Sequence, residues 1–353
     1  MAYTTIDNPS ETAFNTKLYT GNGSTQSITG VGFQPDWVWI KNRSSSNNNR
    51  LFDAVRGAGK NLVSNATGAE IDAGTGTGGQ LRTFDSDGFS VGSDGSVNNN
   101  SENIVSWNWK AGGSSTSTNS DGDINGTQTV NQTAGFSITT YTGNGGSGQT
   151  LGHGLGATPK VYICKRRDNT GQWLVMNTLI DGTLDYLFLE SNAAKSNTST
   201  TLPTSSLVYL QNGGDANESG GTHVCYAFCE KKGYSRFGSY TGNGNSDGVF
   251  IYTGFKPAWM MIKESSNAGN EWYISDGARS PTNAGTASAK VLAASGSGAE
   301  ESGQSYNQFD IVSNGYKVRG DDTRSNGSGR TYIYMAFAES PFVNSNGVPN
   351  NAR

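Results

Sequence analysis

The run Tyr19-Thr20-Gly21-Asn22-Gly23 returns as Tyr141-Thr142-Gly143-Asn144-Gly145 and again as Tyr240-Thr241-Gly242-Asn243-Gly244. Copies on the order of 100 residues apart are too widely spaced for a solenoid unit and have the spacing of a small domain used three times. The 353 residues therefore read as three modules. Short alternating apolar stretches with turn signals at close intervals follow each copy. That pattern predicts an all-β chain of three tandem antiparallel β-sandwich modules, jelly-roll-like in type.

Residues 1–17 precede the first module as an arm whose apolar side chains are Tyr3, Ile6 and Phe14. The arm reads as an attachment segment or as a frayed leader. Module one spans 18–110. In its Gly32 to Lys41 stretch Pro35 marks a strand entry, and Trp37 and Trp39 alternate with Val38 and Ile40, so both faces of that strand are expected to be buried. Asp87-Gly88 sits between strand-like residues as a hairpin signal. The closing strand sets Val105, Trp107 and Trp109 on one face. Residues 111–133 carry almost no apolar side chain, and this linker composition predicts a hinge between modules one and two. Module two spans 134–232, and module three, 233–340, follows so closely that two and three are expected to pack as a unit. Within module three, Asn283 to Ala294 reads as one short helical turn. A polar tail, 341–353, ends the sequence.

Composition narrows the functions. Only 33% of residues are apolar and 15% charged, with 49 glycines, which suits short strands and many turns rather than a helical enzyme. A net charge of −4 with no Lys/Arg cluster gives no electrostatic footprint for nucleic acid. The N-terminus lacks a signal-peptide pattern and no run has the length of a membrane span, so the expectation is a protein made in a cytoplasm, without membrane insertion. Cys164, Cys225 and Cys229 have no metal-like spacing and read as small buried hydrophobes.

The remaining motifs favour structure over chemistry. The repeat motif residues Tyr19, Gly21, Gly23, Tyr141, Gly143, Gly145, Tyr240, Gly242 and Gly244 lack the lysine and helix start of a phosphate loop and read as turns. Asp85-Ser86-Asp87-Gly88 and Asp121-Gly122-Asp123 lack the further oxygen ligands of a calcium loop. Asp53 and Arg56 recur as Asp276 and Arg279, with Asn177 and Ile180 in module two, and read as an ion pair bracing a loop. His153 and His223 have no nucleophile beside them. No acidic residue recurs in all three modules as a glycosidase pair would suggest. No catalytic, metal or cofactor residue is nominated. Of the tryptophans, most are expected in the core, while Trp173 and Trp272, beside polar loops, are the candidates for contact with a surface ligand.

Several stretches taken together resemble a protein family: Tyr3 to Asp7, Thr16 to Gly23, Gly32 to Lys41, Ser106-Trp107-Asn108-Trp109, Tyr234 to Gly244 and Gly347 to Arg353. They are similar to repeat proteins of tailed bacteriophages of marine bacteria, many described as tail fibre or virion structural proteins, most without an established function. The resemblance covers nearly the whole chain. It implies a non-enzymatic protein of the virion surface, a tail fibre or spike binding a host glycan or protein; the alternative is a capsid decoration or head-fibre protein, and a polysaccharide-degrading spike stands third. It implies other virion proteins as partners and, as in many phage fibres, a homotrimer that would bury faces a lone sandwich leaves apolar. It names no active residue.

Overall fold

Each opening strand runs directly into the repeat motif: Phe14–Thr20, Phe136–Thr142 and Ser235–Thr241. Each pairs antiparallel with the closing strand of its own module, Asn103–Trp109, Thr222–Phe228 and Thr331–Pro341. The closing strand pairs in turn with Trp37–Asn42, Val161–Arg166 or Phe255–Glu264, and the sheet continues outward through Arg50–Asp53, Trp173–Asn177 or Tyr273–Asp276. The chain is all-β, with several antiparallel sheets. The computed structural model describes residues 4–198, 201–283, 285, 289–303 and 309–351.

A smaller sheet covers one face of each large one. In module one the strands Gln26–Thr29, Gly88–Val91 and Leu81–Asp85 form it. Ile28, Leu81, Phe89 and Val91 from this sheet pack on Val38, Ile40, Phe52 and Ile104 of the large sheet. The period-2 alternation turns the other residues, Trp37, Trp39, Val105, Trp107 and Trp109, to the opposite face. That face is buried as well, because the large sheets of modules two and three pack against it in one shared cluster. All six residues of Trp37–Asn42 are buried.

At the centre stand Trp109, Phe228 and Phe337, which occupy the same register position in the three closing strands. Phe337 lies 5.6 Å from Trp109 and 6.0 Å from Phe228. Trp37 of module one stacks on Tyr226 of module two at 4.8 Å, and Trp259 of module three meets Trp109 edge-on at 5.4 Å. Each such ring pair adds about 0.5–1.5 kcal/mol beyond the area it buries. The modules therefore meet around one aromatic core rather than in series.

This corrects four expectations. Residues 111–133 are not a hinge: Ser117–Asn119 and Gly126–Asn131 are strands that extend module two's sheet, and Asp36 of module one accepts hydrogen bonds from the amides of Ala111 and Gly113. Threonine and glutamine are sufficient there because these strands lie at the sheet's outer end. The arm is not frayed, since Pro9–Thr12 is a helical turn and Ile6 and Phe14 are core residues. The apolar faces that argued for a homotrimer are covered within one chain. In the stretch read as a helical turn, Lys290–Ala293 is a strand; residues 284 and 286–288 of it lie outside the described residues.

Candidate functional site

The residues nominated from sequence do not converge. Trp173 and Trp272 are 0% and 1% exposed, so neither is placed to meet a surface ligand. Both instead join modules: Trp173 Nε1 donates to the carbonyl of Val63 in module one, and Trp272 Nε1 to that of Phe188 in module two, each at 2.9 Å. Of the attachment residues, Ile6 and Phe14 are spent on the chain's own core, and Tyr3 lies outside the described residues. His223 stacks on Tyr141 at 5.1 Å, and the Asp87 carboxylate accepts from the amides of Gly30 and Gly32. The cysteines are free and buried, with Cys164 directly opposite Cys225.

Tryptophan-to-carbonyl contacts reveal how the modules are joined. Asn49 holds the register position of Trp173 and Trp272, and its Nδ2 donates to Ala293 O of module three at 3.1 Å. Val63, Phe188 and Ala293 are likewise equivalent. Module two thus grips module one, module three grips module two, and module one grips module three. Such head-to-tail contacts close into a ring when the rotation permits, and here three modules close it.

Two of the three seams carry the same buried charge network. At the first, Arg56 bonds Asp53 and, at 2.9 Å, Glu70; Glu70 then receives Arg167 of module two at 3.0 Å, and Tyr226 of module two donates to Asp53 at 2.7 Å. At the seam between modules three and one, Arg279 bonds Asp276 at 2.5 Å and Glu300 at 3.2 Å. There Glu300 receives Arg43 at 2.8 Å and Asp276 receives Trp107 Nε1 at 2.9 Å. Burial pushes the Glu70 and Glu300 carboxyls up, but their paired arginines outweigh it and hold both below the ordinary value. The Asp–Arg pair expected to brace a loop therefore belongs to a lock between modules.

The third seam replaces every member at once. Asn177 stands for the aspartate, Ile180 for the arginine, Lys195 for the glutamate, Ser265 for the arginine across the seam and Met335 for Trp107 or Tyr226. The backbone bond survives: Lys195 N donates to Ser265 O at 2.9 Å, as Glu70 N does to Arg167 O and Glu300 N to Arg43 O. The Lys195 ammonium turns to Asp181 and Asp185 of its own module. A complete swap avoids the uncompensated charge that a partial one would leave buried.

A further threefold set is Lys41, Lys165 and Lys263, all 0% exposed. Their ammonium groups donate to the carbonyls of Asn42, Arg166 and Glu264, and the first two also reach across seams to Ser297 and Thr67. Burial lowers each to about 8.

The repeat motif is a clamp whose second half sequence reading missed. Asn98, Asn217 and Asn326 each accept, through Oδ1, the amide of the motif asparagine, Asn22, Asn144 or Asn243. Each returns a bond from Nδ2 to that residue's side chain, while the motif tyrosines donate to Val97, Ala216 and Ser325. The first motif glycine passes so close that a Cβ on Gly242 would lie 2.3 Å from Gly327 O. The signal was available: each asparagine lies five residues before its closing strand. Asn326→Ala is expected to lower stability by about 2 kcal/mol, because it leaves buried backbone groups unpaired, and the urea midpoint of the full chain measures it. A loss under ~0.5 kcal/mol would show the clamp to be ornamental.

The register gives the ring two ends. Phe14 pairs with Trp109 and Thr20 with Asn103, so the motif loops lie at the end away from Ala111, from the Cys229–Ser235 connection and from Pro341. At that other, basal end Asp7 accepts the amide of Ser345 at 2.8 Å, joining the segments before and after the modules. The seam between modules three and one also borders a cleft of about 470 Å³ lined by Asn65, Glu271, Tyr273, Ser295 and Glu301. Burial and the neighbouring Glu301 push the Glu271 carboxyl up, while Glu301 pairs with Arg324 at 3.0 Å. The corresponding positions are Asn48 and Ile71 in module one and Gln172 and Ser196 in module two, so the pair is unique to module three. Among the described residues no helix is long and apolar enough to cross a membrane, and no three His, Cys, Asp or Glu side chains gather as a metal site.

No curated protein and no solved structure matches the chain. Residues 8–341, all three modules, match a domain of unknown function, DUF7483, and the chain belongs to that family.

Proposed function

We propose that the chain is a non-enzymatic virion surface protein of a tailed phage, a tail fibre or spike held at its basal end and binding the host cell surface. The polarity of the ring carries this reading. Both segments flanking the modules and both crossovers between modules lie at one end, and three loops of one motif stand together at the other. The resemblance of the sequence to phage fibre proteins supplies the setting: other virion proteins on one side, a host glycan or protein on the other. A homotrimer of this chain would form through surfaces other than the module faces, which are already covered. A second reading, a capsid decoration or head-fibre protein, is favoured by the ring closure itself, because a chain that buries its own core can stud a lattice as single copies.

Cryo-electron microscopy of purified particles tests both. Density at the tail in threefold clusters supports the first reading, and density spread over the capsid lattice replaces it with the second. Absence from the particle sinks both. Release of reducing sugar ends from host polysaccharide by the isolated protein would overturn the non-enzymatic part, and would direct mutation to Glu271 and Glu301.

A further inference from the structure

The outer face of module three's small sheet departs from its counterparts. Phe250 and Tyr252 stand on its edge strand, 45% and 56% exposed, with Ile251 between them turned into the core. By register the same positions hold Ser27 and Thr29 in module one, and Thr150 and Gly152 in module two. The sandwich therefore has no need of rings there. Exposed aromatics on an edge strand invite self-association, so a position that carries two of them calls for a reason.

Three features indicate what they meet. Phe250 lies against Gly315 of the neighbouring strand, where a Cβ would come within 2.7 Å of its ring, so the glycine lets the ring lie flat along the sheet. The two residues stand two strand positions apart, with Cα atoms roughly 6.5–7 Å from each other, so one sugar chain can reach both rings. Beside them Lys317 pairs with Asp247 at 2.8 Å and Arg319 with Asp310 at 2.5 Å. Two cations against two carboxylates leave the face without net charge, so it has no field to hold a polyanion or a strongly charged protein. Its paired charges still offer donors and acceptors to hydroxyl groups. At its lower edge Tyr252 walls a cleft of about 360 Å³ with Glu230, Lys232 and Arg236, so the balanced charges are those directly beside the rings.

We propose that this face binds a neutral oligosaccharide, whose pyranose rings stack on Phe250 and Tyr252 and whose hydroxyls bond the flanking charged pairs. The site rests on the reading of the chain as a surface-binding protein and gives that reading a ligand class and a place.

Saturation-transfer NMR on the full chain tests it, with cellohexaose, maltohexaose and chitohexaose as probes. The wild type is expected to transfer to at least one of the three. The double variant Phe250→Ala/Tyr252→Ala should bind that sugar at least tenfold more weakly with an unchanged melting curve. No transfer from the wild type to any of the three, or equal transfer in the double variant, overturns the proposal. So does a wild-type dimer in sedimentation that the double variant dissolves without any sugar contact, since the occupant is then a second copy of the chain. Absence from purified particles would instead remove the virion reading, and it would leave these titrations unaffected.

Discussion

Asp276→Asn is expected to lower the stability of the whole chain by about 3–5 kcal/mol, the range for removing one partner from a buried ion pair. The side chains of Arg279 and Asp276 are both fully buried, and the carboxylate also receives Trp107 Nε1 from module one. The substitution leaves a guanidinium with only Glu300 to balance it. Against a typical total of about 5–15 kcal/mol, that is a large share. The protein supplies its own control, because the seam between modules two and three works with none of the charged members. Matching that seam in the seam between modules three and one means Asp276→Asn, Arg279→Ile, Glu300→Gln, Arg43→Ser and Trp107→Met together. Position 300 takes a neutral glutamine because Lys195 has Asp181 and Asp185 to balance it and the change would bring neither. The five changes should restore most of what the first one loses, since the buried charge needing compensation is gone. Urea denaturation of both variants decides it. A single variant that loses under ~1 kcal/mol, or a quintuple variant no better than the single, would show that the network does not lock the seam.

The placement of the lock fits the chain's path. The first and second modules, and the second and third, are joined by continuous chain; the third and first are held by non-covalent contacts alone. The seam without a covalent bridge has the full network, and the one without the network has the bridge between Cys229 and Ser235. The first seam has both.

How much of this was legible in the sequence follows from what repeats can and cannot say. The motif identifies three like modules, and two-sided alternation at Trp37 to Ile40 showed that something must cover a second face. Which surface covers it depends on contacts such as Trp107 to Asp276, far apart in sequence and unlike in chemistry, and no local pattern records them. The strands at Ser117–Asn119 and Gly126–Asn131 were hidden because they need few apolar residues. Trp173 and Trp272 look solvent-facing in the sequence because polar loops stand beside them, whereas those loops line the seams. A strand such as Phe250-Ile251-Tyr252, with an apolar residue inside and two aromatics outside, has the pattern of one buried on both sides; only the missing cover distinguishes it.

Raising the pH from 7 to 9 is expected to stabilise the protein by about 3 kcal/mol net, with about 4 kcal/mol from Lys41, Lys165 and Lys263 together and the remainder offset by the opposing groups. Burial lowers each to about 8 from an ordinary 10.5. Well below 8 the folded and unfolded chains are both protonated, and the folded chain must hold three buried ammonium groups. Between 8 and 10.5 the unfolded chain binds protons that the folded chain has released, so stability rises with pH, at up to about 1.4 kcal/mol per unit for each lysine. The contribution is complete above 10.5 and is lost as the pH falls through 8. Opposing groups set the upper limit. The buried thiols of Cys225 and Cys229 and the phenols of Tyr19, Tyr141, Tyr162 and Tyr226 are all pushed up, so they ionise first in the unfolded chain and reverse the slope above about pH 9. The triple variant Lys41→Met/Lys165→Met/Lys263→Met removes the lysine term and leaves the opposing groups in place. Its urea midpoint should therefore be flat or falling over the range in which the wild type rises. A variant that keeps the wild-type rise would mean that the three ammonium groups reach water, and that the seams are looser than their packing implies.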